Sequence, residues 1–338
     1  MAKPLNILVL RLSAMGDVAM TVPVLRALAQ QYPELKITVV TRAFFVPVFR
    51  GIDNLTVYPA EVKAKHKGVL GLYKLAQELN QNNFCFVADL HNVLRTKILK
   101  RFLHCKRFVS IDKGRKEKKQ LISGKRFEPL KTTHERYADV FAALGFPIDL
   151  LEPTFPEKAH INSKTQALIG GQPQKLIGIA PFAAHEGKMY PLHLTKKVIE
   201  VLSEDYKIVL FGGGKKEIAV LNAIEATYKN TVNLAGKLSF DEELDVLSNL
   251  DVMLSMDSGN AHLAAMLGVK TVTIWGVTHP YAGFAPFNQP QHHALLANRE
   301  QFPLIPTSVY GNKHPESYKQ AAGSIAPETV IAKIREVV

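Results

Sequence analysis

The stretch DVMLSMDSGNAHLAAMLGVKTVTIWG, residues 251–276, constrains the fold more than any other part of the chain. DVMLSM is an apolar run of strand length, and Asp257-Ser258-Gly259 interrupts it. Asn260–Leu267 follows as a short helix, small and apolar on one side, and Gly268 suits the position just past its end. VKTVTIWG then returns as a second buried strand. Strand, tight turn, helix and strand form the repeating unit of a parallel α/β sheet, because parallel neighbours need a crossover between them.

The turn is where chemistry is expected. A helix start leaves backbone N–H groups unpaired and carries the positive end of the helix dipole, so it favours anions, phosphates above all. Gly259 lets a ligand approach the backbone, Ser258 offers a hydroxyl, and His262 projects near the same helix end. The same residues also read as plain structure, with Asp257 or Ser258 a helix cap and His262 a surface polar group.

The rest of the chain keeps the same rhythm. In the N-terminal half, strands are predicted over Asn6–Leu12, Lys36–Thr41, Leu55–Tyr58 and Phe84–Asp89. Helices are predicted over Ala19–Gln31 and Gly68–Asn80, with Ser13–Asp17 a loop. Ligands of such sheets collect at the carboxyl ends of the strands. Asp17, Asp89 and His91 all fall there. Residues 145–174, with Pro147, Pro153, Pro156, Pro173 and Gly170-Gly171, read as a crossover between domains. A fresh set of strands follows at Lys175–Ala180, Lys207–Phe211 and Thr231–Leu234. Helices are expected over Leu194–Glu204, Lys216–Tyr228, Ser239–Asn249 and Pro327–Val338. Ser239 with Glu242 has capping-box spacing. Neither half carries G-x-G-x-x-G with a following acid, and FGGGKKE lacks the P-loop spacing, so two common nucleotide fingerprints are absent. The loop from Thr278 to Phe287 reads either as a wall for a ligand or as packing.

At 338 residues the chain has room for two domains. Two cysteines, Cys85 and Cys105, give no disulfide framework. ILVL is too short for a signal-peptide core and there is no apolar run of transmembrane length, so a cytoplasmic protein is expected. Of the net charge of +12, nearly all lies between His91 and Lys131, where fourteen Lys and Arg stand against three acids. Basic runs of this kind are solvated faces or sites for anionic membranes or nucleic acid. No groove-reading motif accompanies the charge, which argues against nucleic acid. No DxD-type carboxylate pair or His/Cys cluster is spaced to hold a metal.

Three stretches together resemble the heptosyltransferases of glycosyltransferase family nine: D-S-G-x-x-H-L-A-A-x-x-G at Asp257–Gly268 before Trp275-Gly276, R-L-S-A-M-G-D at Arg11–Asp17, and D-L-H-N-x-L-R at Asp89–Arg95. The resemblance covers most of the chain. It implies the GT-B fold, two Rossmann-like doubly wound α/β domains facing a cleft. The expected boundaries are 1–158 for an acceptor domain, 159–325 for a nucleotide-sugar donor domain, and 326–338 for a helix packing back across the cleft. It implies an inverting transfer of heptose from ADP-L-glycero-D-manno-heptose to the lipopolysaccharide inner core, with no cofactor and no metal. Asp17 would be the catalytic base. Lys188, Glu217, Asp257, Ser258, Gly259 and His262 would bind the donor, and Asp89, His91 and Arg95 the acceptor. The implied partners are ADP-heptose, an anionic glycolipid and the inner face of the cytoplasmic membrane, held peripherally. Two departures stand out. Ala183-Ala184 occupies positions where many relatives carry hydroxyls, and Tyr190 stands where a tryptophan is often found. The alternative is a GT-B transferase that uses another nucleotide sugar for a cell-surface glycan. A dinucleotide-dependent oxidoreductase is the rival reading from another class, and the missing fingerprint counts against it.

Overall fold

The computed structural model describes residues 5–170 and 174–338. Gly171 and Pro173 of the expected crossover lie outside them. The chain forms two compact units. One comprises Met1–Lys113 and Thr133–Thr154, the other Gly114–Thr132 and Phe155–Val338.

The first unit runs β1 (Asn6–Leu10), α1 (Met15–Ala19), α2 (Thr21–Gln31), β2 (Lys36–Thr41), β3 (Leu55–Pro59), α3 (Gly68–Asn80), β4 (Phe86–Asp89), α4 (Leu94–Leu99) and β5 (Arg107–Ser110). After a stretch that belongs to the second unit (α5, Arg115–Ile122), it resumes with α6 (Thr133–Leu144). Its five strands are all parallel, in the order β3-β2-β1-β4-β5. Leu8 and Leu10 of β1 pack with Leu72, Leu75, Ala76 and Leu79 of α3 and with Leu99 of α4. Ile7 and Val9 alternate with them and are fully buried towards the opposite face, as a strand covered on both sides requires.

One element differs from the sequence reading in a way that matters for the site. The expected loop Ser13–Asp17 and the single helix Ala19–Gln31 are instead two helices, α1 and α2, broken at Met20. Pro23 explains the break. It has no N–H to offer the carbonyl four residues back, and its ring crowds that carbonyl, which belongs to Ala19, the last residue of α1. Asp17 therefore lies within the short first helix rather than on a loop.

The second unit runs α7 (Ser163–Ile169), β6 (Leu176–Ala180), α8 (Leu192–Asp205), β7 (Lys207–Leu210), α9 (Gly214–Thr227), β8 (Thr231–Asn233), α10 (Phe240–Asn249), β9 (Val252–Met256), α11 (Gly259–Met266), β10 (Lys270–Trp275), β11 (Ala294–Leu296) and α12 (Pro327–Val337). Its six strands are parallel in the order β11-β10-β9-β6-β7-β8. Renumbered from β6, that is the 3-2-1-4-5-6 order of a doubly wound sheet. Predicted caps are in place. Ser239 Oγ accepts the Glu242 N–H at 3.2 Å, and Glu242 returns the bond to Ser239 N–H at 2.8 Å. Gly268 follows α11 at φ +80°, a backbone conformation that other residues rarely adopt.

The last helix, α12, packs on α8 and under β9 and β10 of the second unit, with Val330, Ile334 and Val337 in that unit's core. Its apolar stripe is used up there. The basic stretch Gly114–Thr132, expected inside an N-terminal domain, also packs with the second unit. Among the described residues no helix is long and apolar enough to cross a membrane.

Candidate active site

In each unit the strand order reverses at one point, between β1 and β4 in the first and between β6 and β9 in the second. Candidate residues collect at the carboxyl ends of those strands, where doubly wound sheets bind their ligands.

In the first unit, Arg11 directly follows β1. Its side chain is only 7% exposed and its Nη1 donates to the Leu90 carbonyl after β4 at 2.7 Å. Nη2 forms an ion pair with Asp17 Oδ2, which also accepts the Ala14 N–H at 3.3 Å. Arg11 thus ties the two central strand ends together and fixes the Asp17 carboxylate, which keeps partial exposure. Arg11 carries no site role of its own in the sequence reading. A cation at the end of a fully buried strand was the signal available, since a buried charge needs a partner.

Asp89 plays a different part from the acceptor contact expected of it. Its Oδ1 accepts the N–H groups of His91 at 3.1 Å and Asn92 at 2.8 Å, and its Oδ2 accepts Ser110 Oγ at 3.0 Å. A buried carboxylate so engaged shapes the loop. What it positions is His91. Burial pushes the His91 imidazole down to about 3, with Arg11 and Lys113 adding to the effect and Asp17 opposing it. His91 is therefore neutral at physiological pH. Its Nδ1 is buried without a hydrogen-bond partner. Arg95 stands in the first turn of α4 and also acts electrostatically on His91.

In the second unit, a short 3-10 turn at Glu186–Lys188 ends the loop after β6. Lys188 Nζ lies 2.9 Å from Asp257 Oδ2, and the two side chains are 14% and 8% exposed. Thr278 Oγ1 donates to the same oxygen at 2.8 Å. Three strand ends are thereby joined, those of β6, β9 and β10. Gly276 permits this. A Cβ there would stand 2.2 Å from the Gly187 carbonyl oxygen, which instead accepts the Val277 N–H at 2.9 Å. Asp257 faces a lysine rather than open space, so it acts as that lysine's anchor. A carboxylate is in any case a poor direct partner for a phosphate.

Ser258 is the N-cap of α11 in extended conformation, yet its hydroxyl does not cap the helix. Its Oγ lies 3.0 Å from Ser255 Oγ. The side chain thus leaves the helix's first N–H groups uncapped. Gly259 opens the helix and His262, buried, lies one turn in. Glu217 sits in the first turn of α9 and accepts the Gly213 N–H at 2.8 Å. One of its oxygens caps its own helix. Tyr190 is a core residue, its hydroxyl donating to the Ile325 carbonyl at 2.7 Å, with burial pushing it up to about 12.

The loop Thr278–Phe287 packs against the basic stretch. Leu130 N–H donates to the Tyr281 carbonyl at 2.9 Å, and the Phe127 ring meets His279 edge-on and Tyr281 at a tilt, each at 5.0 Å between centroids. Arg299 covers the Phe127 ring at 3.6 Å, and Lys118 covers Phe284 at 4.0 Å. Such cation–π contacts hold the stretch in place. Lys118 is accordingly buried, whereas Lys116 and Lys119 remain exposed. Among the described residues no cluster of three or more His, Cys, Asp or Glu is arranged to hold a metal.

Two doubly wound parallel sheets, with a held carboxylate at one switch point and a lysine beside a helix start at the other, define a two-domain α/β protein. Comparison with known proteins narrows the class. The family model described as glycosyltransferase family 9 (heptosyltransferase) matches residues 72–313. The chain belongs to that family, and it is a glycosyltransferase. It is 25% identical over 293 residues to the lipopolysaccharide core heptosyltransferase OpsX of Haemophilus influenzae, covering 84% of this chain and 82% of that protein. It is 23% identical to lipopolysaccharide heptosyltransferase 1 of Campylobacter coli, covering 98% and 99%. Among solved structures, a family 9 glycosyltransferase from Veillonella parvula superposes with a TM-score of 0.75 at 20% identity, covering 100% and 98%. The Escherichia coli heptosyltransferase WaaC with ADP gives 0.72 at 18%, covering 99% and 100%. These structures share the GT-B-type fold expected from the sequence.

Proposed function

We propose that the protein transfers heptose from ADP-L-glycero-D-manno-heptose to the inner core of lipopolysaccharide, with inversion at the anomeric carbon. The observation that carries this reading is the Lys188–Asp257–Thr278 knot beside the uncapped start of α11, in a member of this family. Lys188 and the N–H groups at Gly259 meet the donor diphosphate, with His262 one turn on. They stabilise the negative charge that grows on the leaving ADP. Asp257 orients the lysine. The Glu217 carboxylate, held at one oxygen by Gly213, turns the other to the donor ribose. Asp17, fixed by Arg11, takes the proton of the acceptor hydroxyl as that oxygen attacks the anomeric carbon and the bond to the diphosphate breaks. His91, neutral, and Arg95 contact the acceptor sugar or its anionic groups. Asp89 holds that loop. The enzyme works in the cytoplasm at the inner face of the membrane, on an anionic glycolipid, with no nucleic-acid partner, no metal and no cofactor.

The test is mass spectrometry of a defined Kdo-bearing lipid acceptor after incubation with purified protein and ADP-heptose. A single heptose increment is expected. Ala183-Ala184, in place of hydroxyls common among relatives, favours one alternative, a different nucleotide sugar. Running the same acceptor against a panel of donors separates the two.

A further inference from the structure

The first unit carries an exposed apolar turn at the start of α3, where Tyr73 meets Phe102 edge-on but, among the described residues, Val69 and Leu70 have no such ring contact. The buried face of α3 is complete with Leu72, Leu75, Ala76 and Leu79. Yet the same helix begins with Val69, Leu70 and Tyr73 at 56%, 85% and 45% exposure. A helix covering one face of a sheet needs only one apolar stripe, and a cluster of large exposed apolar side chains marks a contact surface. Exposed Lys63, Lys67 and Lys74 flank the turn.

The turn is rigidly held. His66, in the loop just before α3, is buried and accepts the Glu61 N–H on Nδ1 at 3.0 Å. Its Nε2 lies 3.2 Å from Glu78 Oε2 on α3, and Glu78 also takes Lys65 at 2.8 Å and the Tyr58 hydroxyl. Gly71 completes the clamp. A Cβ there would stand 2.4 Å from the His66 carbonyl carbon, so the loop lies directly on the first turn of the helix. A four-residue network, with His66 buried and Lys65 exposed at its rim, thus supports a corner whose outer side carries apolar residues and lysines. The corner follows the carboxyl end of β3, on the same edge of the parallel sheet as Asp17 and His91.

We infer that this corner docks on an anionic lipid bilayer, with Val69, Leu70 and Tyr73 entering the headgroup–acyl boundary and Lys63, Lys67 and Lys74 meeting lipid phosphates. Apolar side chains supply the insertion and the lysines supply the preference for negative headgroups. The inference rests on the reading that the acceptor is a lipid. Docking here brings the Asp17 edge of the sheet towards the membrane surface where such an acceptor presents its sugars.

Co-sedimentation with vesicles of phosphatidylethanolamine and phosphatidylglycerol in equal amounts tests it, with pure phosphatidylcholine as the comparison. The full-length protein is expected to bind the anionic vesicles and to lose binding at high salt. Val69→Ser with Leu70→Ser should weaken binding at least about tenfold, from the apolar area withdrawn from insertion. Each of Lys63→Gln, Lys67→Gln and Lys74→Gln should weaken it by about fivefold. Leu70→Trp provides a variant that adds apolar area instead of removing it. The protein's single tryptophan, Trp275, is buried, so a blue shift on adding vesicles reports the new residue. An unshifted Leu70→Trp emission, or wild-type vesicle binding by the double serine variant, overturns the inference. So does a double serine variant that loses turnover on an acyl-free acceptor as much as on a lipid one, because the corner would then serve the sugar or the fold. Vesicle binding requires no transfer, so a protein that docks but moves no heptose would fail the functional proposal alone.

Discussion

Replacing Lys188 by methionine keeps the bulk of the side chain and removes its charge, and the structure allows the outcome to be worked out. At 2.9 Å, with both side chains largely buried, the raw attraction to Asp257 is about 6 kcal/mol at an effective dielectric of about 20. Desolvation offsets most of that, so the net value of the pair is small. Breaking it from one side is different. Asp257 would be left 8% exposed with Thr278 as its hydroxyl donor, and an uncompensated buried charge costs about 3–5 kcal/mol. Lys188→Met should therefore destabilise the second unit by about 3 kcal/mol. Trp275 fluorescence reads that unit's unfolding in urea. Donor binding should fall by about 1.5–3 kcal/mol for the lost charge-assisted contact, roughly 10- to 150-fold in the ADP dissociation constant by calorimetry. Asp257→Asn separates the two effects. It weakens the knot but leaves the lysine, so ADP affinity should be unchanged or tighter. A folded Lys188→Met protein that binds ADP within about twofold of wild type would refute the assignment of the diphosphate to this lysine.

Other expectations follow from the same observations. Lys116→Glu with Lys119→Glu should raise the acceptor KM and blunt its salt dependence, leaving ADP affinity and Tm unchanged, whereas Lys118→Glu should lower Tm, because only Lys118 is buried over Phe284. Equal Tm losses for exposed and buried lysines would contradict this. Burial pushes Glu243, on the first turn of α10, up to about 7. A carboxylate raised in the folded state weakens the fold as pH rises from about 4.5 to about 7, fully above that range and not at all below it. Glu243→Gln should thus raise stability at pH 8 by about 1–3 kcal/mol, allowing for its partial exposure, and the gain should vanish near pH 4. A gain independent of pH would show that ionisation is not the cause. EDTA should leave transfer intact. Activity lost on chelation and restored by Mg²⁺ would show that a metal is needed.

How far the sequence could be read depended on whether an element's signal was local. The strand–turn–helix at Met256–Met266, the Ser239–Glu242 cap and Gly268 were all legible, because apolar period, cap chemistry and a positive φ are written within a few residues. Two of the four edge strands, β5 and β11, escaped, being three or four residues long with little apolar run. The break at Met20 was inscribed in Pro23 but was masked by the tolerance of proline near helix starts. The Lys188–Asp257 pair joins residues 69 positions apart and has no sequence signature, and neither has the occupation of Asp89 by its own loop. The destination of the basic stretch was set by aromatic contacts to His279, Tyr281 and Phe284, which charge counting cannot see. Arg11 was visible as an oddity, and only the Leu90 carbonyl and Asp17 give it a role.

The account turns on Asp17 as the base of a heptosyl transfer, and the single-turnover rate of the Asp17→Asn enzyme tests it most directly. With ADP-heptose and a Kdo-bearing lipid acceptor, mass spectrometry of the product over time should show wild-type protein adding one heptose and Asp17→Asn doing so about 10²–10⁴ times more slowly. Asparagine keeps the shape of the side chain while removing the charge, so ADP affinity, set by residues of the second unit, should not change. Asp17→Asn transferring heptose at the wild-type rate would contradict the account, reducing Asp17 to the first-turn cap that its bond from Ala14 N–H also describes.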